Sequence, residues 1–179
     1  MLRLIEPSSW VAQPWKNGAG TTHELVRIPA TAAYAVRISV AEITAPAPFS
    51  AFAGYKRWLY LLDGGPVTLS IDGTDTVLTA EGDGVSFAGD TNVAATAVAR
   101  PSRDLNLMVA TAHSVRCDIV RGPATESRKG SAVAVFVIAG TVTASGHVLG
   151  RHACAWGTDE RLELEVGPDA IAAVISVDR

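Results

Sequence analysis

Trp58-Leu59-Tyr60-Leu61-Leu62-Asp63-Gly64-Gly65-Pro66-Val67-Thr68-Leu69-Ser70-Ile71-Asp72-Gly73-Thr74-Asp75-Thr76-Val77-Leu78 decides the fold class. Three short apolar runs, Trp58–Leu62, Val67–Ile71 and Asp75–Leu78, are each closed by residues that favour tight turns. Asp72-Gly73 between two alternating runs is a hairpin signal, because a two-residue turn needs positive φ and Gly reaches it without steric cost. The pattern continues outward on both sides. Leu25–Ile28, Tyr34–Ile43, Val85–Phe87, Val93–Val98 and Leu105–Thr111 read as strands in the first part. Asp118–Arg121, Ala132–Ala139, Thr141–Ala144, Ala153–Trp156, Leu162–Val166 and Ala170–Val177 follow. No long stretch carries a helical stripe free of Gly and Pro, and the gaps are too short for crossover helices. The reading is all-β and antiparallel, a sandwich or a barrel. The polar, aperiodic stretch Val120–Ser131 reads as a loop between two β units, 1–120 and 121–179, with strands exchanged between them an open option.

Composition removes several function classes. The 179 residues hold 15 Lys and Arg against 18 Asp and Glu, a net charge of −3, with 48% hydrophobic and 18% charged residues. That is globular, and it leaves no electrostatic footprint for nucleic acid or an anionic membrane. Ala132–Ala139, the longest apolar run, is too short to span a bilayer, and Glu6 and Pro7 interrupt any leader-like core in Met1–Trp10. A cytoplasmic location is expected. Cys117 and Cys154 form no CxxC; they read as two thiols, with a disulfide as the alternative. His23, His113, His147 and His152 form no HxH or HExxH; His147 and His152 read as surface imidazoles, with a metal pair as the alternative. No GxSxG elbow and no P-loop is present.

Four clusters hold polar groups worth following. Trp15-Lys16-Asn17-Gly18-Ala19-Gly20-Thr21-Thr22-His23-Glu24-Leu25 is either a tight structural turn or a loop whose backbone N–H groups approach a ligand. In Arg37-Ile38-Ser39-Val40-Ala41-Glu42-Ile43, alternation sets Arg37, Ser39 and Ala41 opposite Ile38, Val40 and Glu42. The first face is solvated or lines a polar cavity. Pro48-Phe49-Ser50-Ala51-Phe52-Ala53-Gly54 leads to Arg57, which heads an apolar strand and ends at a barrel mouth or pairs with Glu42 or Asp104. Arg103-Asp104-Leu105-Asn106-Leu107-Met108 alternates Asp104, Asn106 and Met108 against Leu105 and Leu107, so Asn106 needs buried partners.

In order, and with Phe87-Ala88-Gly89-Asp90, these clusters resemble the HutD/Ves family over roughly residues 10–110. The resemblance implies a bicupin, two small antiparallel barrels packed together without the metal-binding histidines of catalytic cupins. It also implies an accessory of histidine breakdown, with a role in binding N-formylglutamate or a related metabolite; the Ves branch is linked loosely to stress response. The implied ligand-binding set is Lys16, Asn17, Arg37, Ser39, Arg57 and Asn106. Two arginines would fork carboxylates, while Ser39 and the amides would read a formamide. The departures are Ala19 for a glycine, His23 for an Arg, Lys56 for an Asp, Leu105 for a Phe, and Val109-Ala110-Thr111 for a basic tail. His23 and Lys56 change charge near the implied pocket.

The leading expectation is a metal-free binder of a small carboxylate, N-formylglutamate-like or urocanate-like, acting as accessory or regulator, with no cofactor and no nucleic-acid or membrane partner. A homodimer through edge strands is expected. The alternatives are a metal-independent cupin-type isomerase or hydrolase, with Glu42 as base and Lys16 or His23 as acid, and a purely structural module.

Overall fold

The computed structural model describes residues 1–15 and 18–178. Among them the strands run β1 (Arg3–Ile5), β2 (Ala12–Pro14), β3 (Gly20–Ile28), β4 (Val36–Ile43), β5 (Ala47–Pro48), β6 (Tyr55–Asp63), β7 (Val67–Ile71), β8 (Thr74–Leu78) and β9 (Gly84–Ala88). The chain continues through β10 (Val93–Val98), β11 (Ser102–Ala110), β12 (Ser114–Arg121), β13 (Ala124–Ala139), β14 (Val142–Ala144), β15 (His147–Leu149), β16 (Cys154–Val166) and β17 (Ile171–Asp178). No helix among the described residues is long and apolar enough to cross a membrane.

Two compact units result: Val11–Thr111, and Ala112 onward together with Met1–Trp10. The division falls between 111 and 112 rather than at 120/121, because β12 pairs along its length with β17. The N-terminal residues join the later unit because Arg3–Ile5 pair with Cys154–Trp156 of β16. The stretch read as a loop at Val120–Ser131 is mostly strand. Thr125 to Arg128 face Glu165 to Leu162, one for one, across the β13–β16 ladder. Its alternation escapes a hydrophobicity reading because the inward positions include Glu126 and Arg128. Arg128, 6% exposed, is held by Glu126 and by Asp118, the latter 2.9 Å away.

The later unit is one seven-stranded sheet, β12-β17-β13-β16-β14-β15 with β1 on β16. Val133, Val135, Val137, Leu162, Leu164 and Val174 anchor its core. His152 corrects one expectation, being buried against the rings of Trp10 and Phe136, 6.2 and 6.1 Å away, whereas His147 is exposed. Cys117 and Cys154 are not joined by a disulfide, and burial pushes the Cys154 thiol up to about 12.

The Val11–Thr111 unit stacks a six-stranded sheet, β2-β3-β4-β11-β6-β9, on a four-stranded one, β5-β10-β7-β8. Ile43, Leu59, Leu61 and Phe87 from the first meet Val67, Leu69, Leu78, Val93 and Ala95 from the second in a shared core. The expected hairpin is present, with Ile71 opposite Thr74 and Asp72 at φ 47 and Gly73 at φ 81. Among the described residues the strand orders are open and do not close into barrels, so the two expected barrels are replaced by open sheets. The central strands are buried on both faces, with Ile38, Val40, Leu105 and Leu107 at 0% exposure on one and Leu59, Leu61 and Met108 at 1% or less on the other. In β6 that double burial shows as the continuous apolar run Trp58–Leu62, whereas β11 keeps Asp104 and Asn106 among its leucines.

One acid lies in this interior. Asp104 is 0% exposed, accepts a 2.7 Å hydrogen bond from the Ser102 hydroxyl, and has no partner for its Oδ1 among the described residues. Burial, with a smaller push from the Asp63 charge and against the Ser102 bond, raises its carboxyl from the ordinary 3.8 to about 7. The folded chain therefore holds a proton that an unfolded one sheds, and stability falls as pH rises from about 4 to about 7. Asp104→Asn removes that slope. Its stability in urea titrations is expected to gain on the wild type across this window by roughly 4 kcal/mol. Parallel pH profiles for the two proteins would show that Asp104 is not the buried acid responsible.

Candidate functional site

The inner face of the six-stranded sheet is built by register. β11 lies between β4 and β6, so Met108 faces both Arg37 and Arg57, and Asn106 faces both Ser39 and Leu59. On the outer side of β4, β3 places Thr22 opposite Ala41 and Glu24 opposite Ser39. The β3–β4 register then shifts between Glu24 and Val26, and Arg27 comes to face Arg37. Three residues apart in a regular strand, Glu24 and Arg27 would point to opposite faces; the bulge at Leu25 turns both inward. Arg27 then forks Glu24, Nε to Oε1 at 2.9 Å and Nη2 to Oε2 at 2.6 Å. Arg37 Nε donates to the same Oε2 at 2.7 Å.

A cavity of about 550 Å³ opens over this face. Its polar lining is Gln13, Thr22, Arg37, Ser50, Arg57 and Asn106, and its apolar walls include Trp15, Phe49, Phe52 and Leu59. Arg57 is 5% exposed. Its guanidinium carbon stands 5.7, 5.3 and 5.1 Å from the ring centres of Phe49, Phe52 and Phe87. Nη1 donates to the Ser50 carbonyl at 3.1 Å and Nη2 to Asn106 Oδ1 at 3.4 Å, while Nε has no partner among the described residues. Burial, and then the charge of Arg37, lowers the Arg57 pKa to about 10, which leaves it charged at neutral pH. No carboxylate pairs with it among the described residues.

Two glycines of the motifs hold the cavity together. A Cβ on Gly89 would lie 2.0 Å from the Phe52 carbonyl oxygen, and the Gly89 carbonyl and N–H bond Phe52 N and Tyr55 O. That close approach seats the Phe49–Phe52 loop on β9. A Cβ on Gly20 would lie 2.3 Å from the Glu42 carbonyl oxygen and 3.0 Å from the Trp15 ring. Trp15 is further fixed by a 2.8 Å hydrogen bond from its Nε1 to Thr22 Oγ1. Ala19 is outside the left-handed region, so its side chain costs nothing there.

Of the residues expected at the site, Arg37, Arg57 and Asn106 line one cavity. Ser39 is beside Asn106 at 1% exposure, its hydroxyl without a partner among the described residues, and does not reach the wall. Lys16 and Asn17 lie outside the described residues. Arg57 pairs with neither Glu42 nor Asp104. His23 and Glu42 approach each other at 3.6 Å, but they share the sheet face of Val40, opposite the cavity. The enzyme alternative therefore has no base at the cavity from Glu42 and no acid there from His23. Lys56 also faces away, its Nζ 5.0 Å from the Trp58 ring centre, so neither charge-changing departure touches the pocket. Sequence reasoning missed Glu24, whose inward aim depends on a bulge, and the Phe49, Phe52 and Phe87 cage, whose members come from separate motifs. Among the described residues, no three of His, Cys, Asp and Glu converge as metal ligands.

Facing antiparallel sheets with a polar-floored, aromatic-walled cavity define a cupin-like protein, and the Escherichia coli protein YlbA shares the fold, with a TM-score of 0.74 at 11% identity. The chain belongs to the HutD family, whose model matches residues 8–174. The structure of HutD from Pseudomonas fluorescens SBW25 is 27% identical, covers 99% of this chain and 98% of that one, and gives a TM-score of 0.89. An uncharacterised 21.2 kDa protein of Pseudomonas putida, from the hutC 3′ region, is 32% identical over 111 residues, 61% of this chain and 58% of that protein. Protein Ves of Citrobacter koseri is 40% identical over 96 residues, 52% of this chain and 50% of that protein. The chain thus matches little more than half the length of these curated relatives.

The Arg27 fork, and after it the bond and charge of Arg37, hold the Glu24 carboxyl down at about 2 against the opposing effect of burial. A depressed acid stabilises the fold above its unfolded pKa, and that contribution is lost as pH falls toward the folded value. Glu24→Gln is expected to be less stable than the wild type at neutral pH, with urea midpoints converging between about pH 4.5 and about 2. Midpoints separated equally throughout would assign the difference to packing instead of charge.

Proposed function

We propose that the chain binds a small carboxylate metabolite in the cavity of its Val11–Thr111 unit and acts as an accessory or regulator of histidine breakdown. The observation that carries this is Arg57: a charged, buried guanidinium, enclosed by three phenylalanine rings and matched by no acid among the described residues. A buried cation costs several kcal/mol unless an anion offsets it. Asn106 and Ser50 supply neutral acceptors, and a carboxylate entering the cavity would supply the missing charge. The volume suits a small metabolite, and aromatic walls with a few convergent polar groups are typical of such sites. The pathway assignment is supported by the HutD family match and by the relative from the hutC 3′ region. N-formylglutamate-like and urocanate-like acids both meet these requirements.

Calorimetry with N-formylglutamate and urocanate tests the site. Arg57→Met and Arg37→Ala should each weaken the binding compound by about tenfold or more, the loss expected for a charge-assisted hydrogen bond. Glu42→Gln, on the opposite face, should leave affinity unchanged. Binding that survives both arginine substitutions would place the ligand elsewhere.

A further inference from the structure

We propose that the outer edge of β12 docks a second copy of this chain, the two β12 strands pairing antiparallel about a two-fold axis at Cys117. Of the edge strands among the described residues, the others are short or interrupted, devices that discourage such pairing. β5 is two residues long and contains Pro48, and β2 is three residues long and contains Pro14. β1 and β15 are three residues long, while β8 and β9 are five. β12 runs for eight residues, Ser114–Arg121, with no Pro or Gly, and matches β17 residue for residue without a bulge. A long, regular edge is a template for strand addition. β12 belongs to the later unit, so the proposal does not depend on the carboxylate reading of the cavity.

The ladder shows which backbone groups this edge offers. Just past β12, the Gly122 N–H donates to the Ala170 carbonyl at 3.0 Å, on the side of β17. Backbone groups alternate sides along an antiparallel strand, so Val120, Asp118 and Arg116 also turn theirs to β17. Val115, Cys117 and Ile119 turn theirs outward. A two-fold pair must set outward residues against outward residues, and that leaves few registers. Centring on Asp118 sets that acid against its own copy, and centring on Arg116 does the same for the arginine. Both oppose like charges, which is destabilising. Centring on Cys117 sets Arg116 opposite Asp118 of the second copy, and Val115 opposite its Ile119, each twice by symmetry. Centres farther along shorten the ladder. Arg116 and Asp118 already lie 2.6 Å apart, so the paired strands carry four alternating charges on one face. Their side chains are 64% and 39% exposed, and pairing them costs little desolvation. Val115, Cys117 and Ile119, half-buried, form a stripe on the other face. The contact adds about six backbone hydrogen bonds and is only one strand wide, which makes the dimer weak and concentration-dependent. It also uses up the edge, so assembly closes at two copies.

Sedimentation velocity of the full chain from about 10 µM to about 1 mM should show a monomer–dimer equilibrium. Over the same range, hydrogen exchange at the Val115, Cys117 and Ile119 amides should slow by about threefold or more, with the β8 edge unchanged. Val115→Pro removes an N–H that the β17 ladder does not use, so its near-ultraviolet circular dichroism should match the wild type. Its dimerisation should weaken by about tenfold or more. Arg116→Glu, which sets two acids against each other at both ends of the pair, should weaken it comparably. A chain that stays monomeric throughout the range overturns the inference. So does a dimer whose slowed amides lie outside β12, a measurement that needs only the wild type. A dimer left intact by a correctly folded Val115→Pro overturns pairing at this edge, and one left intact by Arg116→Glu overturns the register.

Discussion

A guanidinium surrounded by Phe49, Phe52 and Phe87 and removed from water is the constraint around which the Val11–Thr111 unit is organised. Ring faces attract a cation, each by about 0.5–2 kcal/mol. They do not replace its hydration, and the neutral oxygens of Ser50 and Asn106 replace only part of it. The charge is tolerated because β6 is anchored by register on both sides, with Arg57 opposite Met108 of β11 and Phe87 of β9. A side chain on a central strand has little freedom to leave. What remains unmatched is a positive charge at the wall of an open cavity, and that is the source of the site's chemistry.

The second arginine shows how the same residue type can be given a different task by its neighbours. Arg37 and Arg57 both flank Met108, yet among the described residues only Arg37 has an acid within reach. The difference comes from a one-residue shift in β3, which turns Glu24 and Arg27 inward together. Tyr34 extends this cluster: its ring is under the Arg27 guanidinium, 4.7 Å away, and its hydroxyl contacts the Met108 sulfur at 3.8 Å. Arg27, Glu24, Arg37, Met108 and Tyr34 form a continuous polar and aromatic set, so the acid that tempers Arg37 is itself braced.

Some of this was legible beforehand because strand chemistry is local. The alternation of Asp104, Asn106 and Met108 against Leu105 and Leu107 held, as did the hairpin at Asp72-Gly73. The failures have local causes as well. Val120–Ser131 looked like a loop because its inward positions carry Glu126 and Arg128, the arginine buried with ion pairs to Glu126 and Asp118. Glu42 and His23 looked close to the site because they are near it in sequence, whereas strand alternation sends them to the opposite face. Ser39 alternates with Arg37 as expected, but a short side chain next to Asn106 does not reach the cavity wall.

By itself the sequence determined the all-β class, that Arg37 shares a strand face with Ser39 and Asn106 one with Met108, and the family, because turn residues, period-two alternation and motif order are properties of neighbouring positions; whether the Arg37 face is solvated or lines a cavity it left open. Only the tertiary structure decided which arginine is paired. Glu24 reaches Arg37 through a bulge between two strands, and the three phenylalanines reach Arg57 from a loop and a neighbouring strand. Charge compensation depends on distances of a few ångströms between segments far apart in the chain, and no pattern along one strand encodes those distances.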